Sequence, residues 1–340
     1  MQETELPLQL RDFWFIAAAS RDLRGAPVAR TILGEPVVLF RDGSGRAAAL
    51  RDRCAHRNMR LSAGSVRDGA IECPYHGWTY RGDGTCARIP SLEGDPPPHV
   101  RVDSFPTREH DGFVWICLGD PASREPFRFP HAGEEGWTTF TMTTRFEAGA
   151  FSCLENFLDV PHTVYVHQGW FRNRAARPTR AVVRAERDGA AVAFDEEPEK
   201  ESVVARLLFP RGGRLEHTDR FVLPAISRVD YRFGPDRHFI ITSQCTPVSE
   251  HETDVYTVIT FRFGRISPLV RLWFEPLSRK ILRQDIEILR EQTAQVKRFG
   301  GPKFTYVASD LLGPHILRHW KDAVAHREPL VSETAVTIVF

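Results

Sequence analysis

Two short stretches near the N-terminus could hold a metal. RCAHR supplies Cys54-x-His56 and CPYHGWTY supplies Cys73-x-x-His76, with sixteen residues between His56 and Cys73. Four such side chains in two tight pairs are more than packing cysteines and surface histidines would bring together. A structural zinc ion takes this donor set, usually as Cys-x-x-Cys with His-x₃-His. A two-iron two-sulfur cluster of mixed ligation takes two thiolates on one iron and two imidazoles on the other. The order Cys-His then Cys-His lets each loop give one ligand to each iron, with the histidine side facing out. Replacing two thiolates by neutral imidazoles removes negative charge and raises the potential above that of an all-cysteine cluster.

A second constellation lies in LENFLDVPHTVYVHQGW, with Glu155, Asn156, Asp159, His162 and His167 as its polar positions. Asn156, Asp159 and His162 recur at i, i+3, i+6, one face of a helix. His167 falls off that stripe, so the spacing predicts a helix that is distorted or ends nearby. Two ordinary histidines on an amphipathic helix remain the alternative here. The late segment PLSRKILRQDIEILREQTAQVKRFG (276–300) predicts a helix with Pro276 before its first turn and Gly300-Gly301-Pro302 as its stop. Its apolar stripe runs Leu277, Ile281, Leu282, Ile288, Leu289 and Val296. Asp285 falls within that stripe, whereas Glu287 and Glu291 lie beside Arg283 and Arg290 on the polar face. A buried carboxylate needs a cation or a hydrogen-bonded partner. His162, His167 and Asp285 together would form a two-histidine, one-carboxylate triad, leaving positions of a ferrous ion open.

The elements that must carry these residues follow two textures. Residues 26–118 read as short strands and turns, among them TILGEPVVLF, AAALRDRC, WTY and GFVWICLG. The proline-rich stretch DPASREPFRFPHAGEEGW reads as a linker. Beyond it come the interrupted helix at Pro161, a hairpin AVVRAERDGAAVAF around Asp188-Gly189, and the paired strands HFIITSQCTPVS and TDVYTVITFRF. The expected division is residues 1–120, a linker 121–137, and residues 138–340.

The segment CAHRNMRLSAGSVRDGAIECPYHGWTY resembles the Rieske domain of the Rieske non-haem iron oxygenases. It is less similar to respiratory Rieske proteins, which carry an additional cysteine in each loop; here Tyr75 stands at that position in the second loop. The run Glu155-Asn156-x-x-Asp159-x-x-His162-x₄-His167 resembles the catalytic motif of the oxygenase alpha subunits. QDIEILREQ resembles their segment bearing the iron aspartate, and ASDLLGPHILRHWKD extends the likeness toward the C-terminus. The nearest branch is the alpha-only monooxygenases that include the saxitoxin-pathway hydroxylases, with the vanillate and dicamba demethylases further off. The resemblance implies an α+β chain, an N-terminal all-β Rieske domain followed by a helix-grip catalytic domain (an antiparallel sheet plus a long C-terminal helix). It implies a two-iron two-sulfur cluster on Cys54, His56, Cys73 and His76, and mononuclear Fe(II) on His162, His167 and Asp285. Dioxygen would be co-substrate, with electrons from NAD(P)H through a ferredoxin and/or flavin reductase. Asp159 would link to a Rieske histidine of the neighbouring subunit in a homotrimer, and Asn156 would lie beside the iron. The implied reaction is hydroxylation or demethylation of a hydrophobic or polycyclic small molecule. An iron-sulfur electron carrier without mononuclear iron is the alternative.

Composition agrees with a globular chain. Of 340 residues, 45 basic and 44 acidic side chains leave a net charge of +1, which gives no nucleic-acid footprint. The start MQETELPLQL is acidic where a secretory leader would be basic and then apolar. No apolar run reaches the ~18 residues of a membrane span. Six cysteines are too sparse for a disulfide scaffold, so a reduced, cytoplasmic setting is expected. Cys86, Cys117, Cys153 and Cys245 are read as packing residues. His110, His131, His217, His238, His251, His315, His319 and His326 are read as surface or capping residues. FGRISPLVRLWFEPL is read as core and helix lead-in, or a greasy mouth for substrate, and FDEEPEKE as a solvated acidic loop.

Overall fold

The structure, a computed structural model, describes residues 6–122, 124–168, 178–195, 215–234, 237–264 and 267–339. Most of the acidic stretch FDEEPEKE (196–201) and residues 265–266 lie outside these ranges. The chain divides into two units, Arg11–Arg128 and Phe129–Phe340, the latter joined by Met1–Leu10. Unlike the linear division, this one places the helical turn Leu6–Gln9 in the second unit.

The first unit is all β. Its strands are β1 (Trp14–Ala19), β2 (Val28–Ile32), β3 (Glu35–Arg41), β4 (Ala47–Arg51), β5 (Ser65–Arg67), β6 (Ala70–Glu72), β7 (Thr79–Tyr80), β8 (Cys86–Arg88), β9 (Ser104–Phe105), β10 (Thr107–His110) and β11 (Phe113–Cys117). They form three small antiparallel sheets ordered β1-β11-β10, β2-β3-β4-β9 and β5-β6-β7-β8. TILGEPVVLF is two strands rather than one, because Leu33 and Gly34 both take positive φ (52° and 76°) and turn the chain back as a two-residue hairpin. The core under the metal-candidate loops contains Val38, Phe40, Leu50, Leu61, Ile71 and Tyr80.

The second unit is one eight-stranded antiparallel sheet with helices against it. Its strands are β12 (Thr138–Phe146), β13 (Pro178–Glu186), β14 (Gly189–Asp195), β15 (Leu215–Val222), β16 (Ile226–Phe233), β17 (His238–Ser249), β18 (Glu252–Arg262) and β19 (Ser332–Val339). Their order is β12-β18-β17-β16-β15-β14-β13-β19, a meander with its first and last strands added at the two edges. The helices are α1 (Ala150–Leu158), α2 (His162–Tyr165), α3 (Ser267–Arg298) and α4 (Gly313–Val324). α1 packs on β15–β18, while α4 lies on α1 and β14.

α3 begins nine residues before Pro276 and passes through it, contrary to the sequence expectation. Val270, Phe274 and Leu277, at i, i+4 and i+7, bury against Phe140, Phe239 and Phe261 of the sheet. That packing outweighs the roughly 3 kcal/mol that an interior proline costs a helix. Pro276 sits on the outward face with Leu272, so the carbonyl it leaves without a donor has access to water. Leu269 and Leu272 are themselves exposed, so this segment is core on one face only. Ile288 is also exposed, which narrows the predicted stripe, whereas Asp285 is buried within it.

Candidate metal centres

The two Cys-His loops join β4 to β5 and β6 to β7, and their backbones repeat one another. Cys54 N–H donates to Met59 O (2.8 Å) and Asn58 N–H to Cys54 O (3.0 Å); Cys73 N–H donates to Trp78 O (2.8 Å) and Gly77 N–H to Cys73 O (3.0 Å). Closing each loop this tightly needs a left-handed residue four places after the cysteine. Asn58 (φ 59°) and Gly77 (φ 70°) fill that position, the two residue types that tolerate it best.

Each loop therefore points its cysteine inward and its histidine outward. Cys54 and Cys73 are buried, His56 is half-buried and His76 is exposed. The His56 and His76 rings lie 4.6 Å apart between centroids. Trp78 stacks on His56 at 4.4 Å with only 3° between planes, and Tyr75 covers His76 at 3.8 Å. The buried Tyr80 hydroxyl lies 3.3 Å from Cys54 Sγ. Burial pushes the Cys73 thiol up, opposed by the backbone N–H groups of Tyr75 and His76, while Cys54 adds to the rise.

These residues fit a two-iron cluster better than one ion. His56 Nδ1 is a buried ring nitrogen without a hydrogen-bond partner, as an unsatisfied ligand atom would be. One tetrahedral zinc would require all four donors to meet around a point. Among the described residues, the only His, Cys, Asp and Glu side chains that converge in that way are elsewhere, at His162, His167 and Asp285. The four loop donors are spread more widely, as two irons would spread them.

Pro161 ends the helical run that carries the second constellation. α1 stops at Leu158, and Asp159 turns extended (φ −91°, ψ 103°) before α2 restarts at His162. The shared helical face predicted for Asn156, Asp159 and His162 is thus a helix, a break and a new turn. Asp159 bridges the break: its Oδ2 accepts from His162 N–H (3.2 Å), and its backbone oxygen bonds His162 Nδ1. His167 Nδ1 is held by Gln284 Oε1 at 3.0 Å, one residue before Asp285 on α3. With both Nδ1 atoms occupied, both Nε2 atoms turn to the same carboxylate oxygen. His167 Nε2 is 3.0 Å and His162 Nε2 3.7 Å from Asp285 Oδ1.

One ligand atom from each of the three side chains lies within 4.8 Å of the others. Asp285 is 5 % exposed and His167 2 %, and Asp285 Oδ1 has no donor in hydrogen-bond geometry. A buried carboxylate oxygen facing two imidazole lone pairs suits a divalent cation, and the two-histidine, one-carboxylate set suits ferrous iron. Burial holds His162 below the ordinary histidine range despite the Asp285 charge. Burial also works against His167, but Asp285 and Gln284 more than offset it and hold its pKa above that range.

Asn156, Asp159 and His162 line one cavity of about 560 Å³, together with Ile288, Leu289 and Gln292 of α3. The Asn156 Oδ1 and Gln292 Oε1 atoms are buried there without hydrogen-bond partners. Burial pushes the Asp159 carboxyl up to about 6 against the His162 N–H, with the Asp310 and Asp219 charges adding to the rise.

The family models agree with this architecture. Residues 13–106 match the Rieske [2Fe-2S] domain. Residues 146–323, more than half of the chain, match the vanillate O-demethylase oxygenase C-terminal domain. The chain belongs to the Rieske oxygenases. This Rieske oxygenase is 36% identical over 183 residues to the putative toluene-4-sulfonate monooxygenase system iron-sulfur subunit TsaM2 of Comamonas testosteroni, covering 53% of each chain. It is 36% identical over 182 residues to the oxygenase component of dicamba O-demethylase from Stenotrophomonas maltophilia, covering 53% of this chain and 52% of that one. The chain spans about half the length of these curated relatives. Its fold superposes on the crystal structure of dicamba monooxygenase bound to dicamba with a TM-score of 0.80 at 24% identity, over 93% of this chain and 98% of the other.

Three residues that the sequence did not single out support the candidate ligands of this Rieske oxygenase: Gln284, Tyr80 and Trp78. Tyr80 and Trp78 lie next to a recognisable pair, but their contacts reach across to the other loop. Three histidines read as surface or capping residues are buried instead. His217 bonds Asp219 (2.9 Å), His238 bonds Asp230 (2.6 Å), and His319 bonds the backbone oxygens of His315 and Glu186. The four remaining cysteines are buried and unpaired, and no described helix is long and apolar enough to cross a membrane.

Proposed function

We propose that this chain is the terminal oxygenase of a multicomponent system, hydroxylating or oxidatively demethylating a hydrophobic or polycyclic small molecule. The observation that carries this reading is the buried convergence of His162, His167 and Asp285 in a chain that also bears two Cys-His loops. Overall, a C–H bond, dioxygen, two electrons and two protons give an alcohol and water. Where the carbon is an O- or N-methyl group, the hemiacetal or hemiaminal falls apart to formaldehyde and the demethylated product.

When bound, ferrous iron would supply open positions for dioxygen and substrate to meet, and the cluster would supply single electrons. Cys54 and Cys73 would hold the cluster's inner iron, His56 and His76 its outer one. His162, His167 and Asp285 would hold the ferrous ion. The Asp159 backbone oxygen and Gln284 keep the protons of the two imidazoles on Nδ1, which leaves each Nε2 free to ligate. Phe239, Phe274, Trp273, Ile281 and Leu282 belong to one apolar cluster where α3 meets the sheet, in the turns that precede Asp285, which supports an apolar substrate.

The resemblance supports a head-to-tail homotrimer in which Asp159 links the triad of one subunit to His76 of the next. The half-buried Asp159 carboxyl, open to a cavity beside His162, is consistent with that role. Electrons would arrive from NAD(P)H through a ferredoxin and/or flavin reductase. Six free cysteines favour a reducing, cytoplasmic setting. The competing reading is an electron carrier without mononuclear iron. A triad buried at an energetic cost and oriented by two further groups argues against it.

Iron analysis separates the two. The oxygenase reading expects about three irons per loaded chain, two in the cluster and one at the triad. Asp285→Ala should lose only the mononuclear iron and all product formation, with the cluster spectrum unchanged. A wild-type content of two irons, with an intact cluster spectrum, would establish the carrier instead.

A further inference from the structure

The first Cys-His loop carries a charge pattern that the reaction does not use. Between Arg53 and Arg67 the chain has four arginines and no aspartate or glutamate. Arg67 pairs with Glu72 at 3.5 Å. Arg53, Arg57 and Arg60 are exposed, and among the described residues none of them has a carboxylate within 4.0 Å. The acid nearest in sequence, Asp52, is turned inward, where it accepts from the Ser62 N–H (2.7 Å) and hydroxyl (2.5 Å). Arg53 Nε donates to the neutral Asn58 Oδ1 at 2.7 Å, which holds that guanidinium along the loop without cancelling its charge. Some arginines elsewhere in this unit are paired, as Arg41 is with Glu109 and Arg51 with Glu35 and Asp103, while others such as Arg81 and Arg88 have no described carboxylate within 4.0 Å. What sets Arg53, Arg57 and Arg60 apart is their grouping on the loop that carries His56.

The second loop differs. CPYHGWTY has no acidic or basic side chain other than His76, and exposes Pro74 and Tyr75. A neutral, aromatic tip suits a lasting contact between subunits, and an unpaired cationic rim suits a brief encounter steered by charge. The net charge of +1 for the whole chain makes the cationic rim a local feature. It adjoins His56, since Arg57 is the next residue along the same loop.

We infer that Arg53, Arg57 and Arg60 form the docking surface for an acidic one-electron carrier protein that reduces the cluster from the His56 loop. This rests on reading the two loops as cluster ligands. The reduced carrier gives one electron to the oxidised cluster and is itself oxidised by one; no bond is made or broken and no proton is required. Entry at the first loop and exit at His76 would give the incoming and the outgoing electron different histidines of one cluster.

The test uses the cluster-loaded full chain and, as probe, a reduced plant-type [2Fe-2S] ferredoxin with an acidic surface, with cluster reduction followed by stopped-flow absorbance. The wild-type rate should fall as ionic strength rises to physiological values. The double variant Arg57→Glu/Arg60→Glu should be slowed about 10- to 100-fold at low salt and lose that salt dependence. Its cluster EPR spectrum, iron content and reduction by dithionite should match the wild type, and Arg57→Lys/Arg60→Lys should restore most of the rate. Equal rates for wild type and double variant overturn the inference, as does a wild-type cluster that dithionite reduces and the ferredoxin does not. An altered assembly state with an unchanged ferredoxin rate would also overturn it, assigning the arginines to contacts with a second copy. A loaded chain without a Rieske EPR signal would instead overturn the cluster reading beneath it.

Discussion

Gln284 shows how one uncharged side chain can decide whether a metal site is ready. His167 offers a lone pair at Nε2 only while its proton stays on Nδ1, and Gln284 Oε1 accepts that proton's hydrogen bond at 3.0 Å. Gln284→Leu should therefore weaken iron binding by about 10- to 100-fold while the fold persists, as measured by competition with a chelator. Affinity within twofold of wild type would remove its orienting role. Tyr80 acts in the same way on the cluster. A hydrogen bond from its hydroxyl to Cys54 Sγ favours the reduced, more negative state, so Tyr80→Phe should lower the potential. One such bond is worth ~0.5–1 kcal/mol, or roughly 20–40 mV for one electron. An EPR-monitored redox titration checks the sign, and a rise would refute it. Of these residues Asp285 was legible in the sequence, since a carboxylate out of place in an apolar stripe needs a cation or other partner. Gln284 was not: it sits one residue, about 100°, around the helix, and only the path of the chain through His167 gives that direction a meaning.

At the scale of elements, legibility follows how local the cause is. Pro161 breaks the helix at Asp159 by its own chemistry, so the interruption can be read directly. The start of α3 cannot, because the turns before Pro276 are held by Phe140, Phe239 and Phe261, which lie far away in sequence. The two buried strand histidines, His217 and His238, fail for a similar reason: a strand residue is surface or core according to register, and His238 proves to lie inward with Asp230 as its partner. That pair predicts a pH dependence for the sheet. Burial opposes a charge on Asp230, but His238 and Arg228 outweigh it and hold its pKa below the ordinary carboxylate value. A depressed pKa stabilises the fold above the unfolded-state value, and that contribution is lost as pH falls through the folded value. Asp230→Asn should cost about 1–3 kcal/mol at pH 7, and the gap to wild type should close below about pH 4. Denaturant unfolding at the two pH values measures it; a constant gap would mean that the amide is lost packing and not lost charge.

At the scale of the whole molecule, each chain carries the donors for a cluster and for an iron in different units. A head-to-tail ring would make every cluster serve the neighbour's iron, and this can be tested without knowing the substrate's exact pose. Asp285→Ala should keep a working cluster and lose the iron, whereas His76→Ala should keep the iron site and lose the cluster's exit ligand. Each alone should be inactive. Co-expressed and randomly mixed, they would place a working cluster against a working iron in about a quarter of the contacts, one half times one half, and activity should return to roughly that fraction of wild type. Native mass spectrometry of the mixture confirms that mixed oligomers form. Mixed oligomers without activity would show that the electron travels within one chain, and the role given to Asp159 as a link between subunits would fall with it.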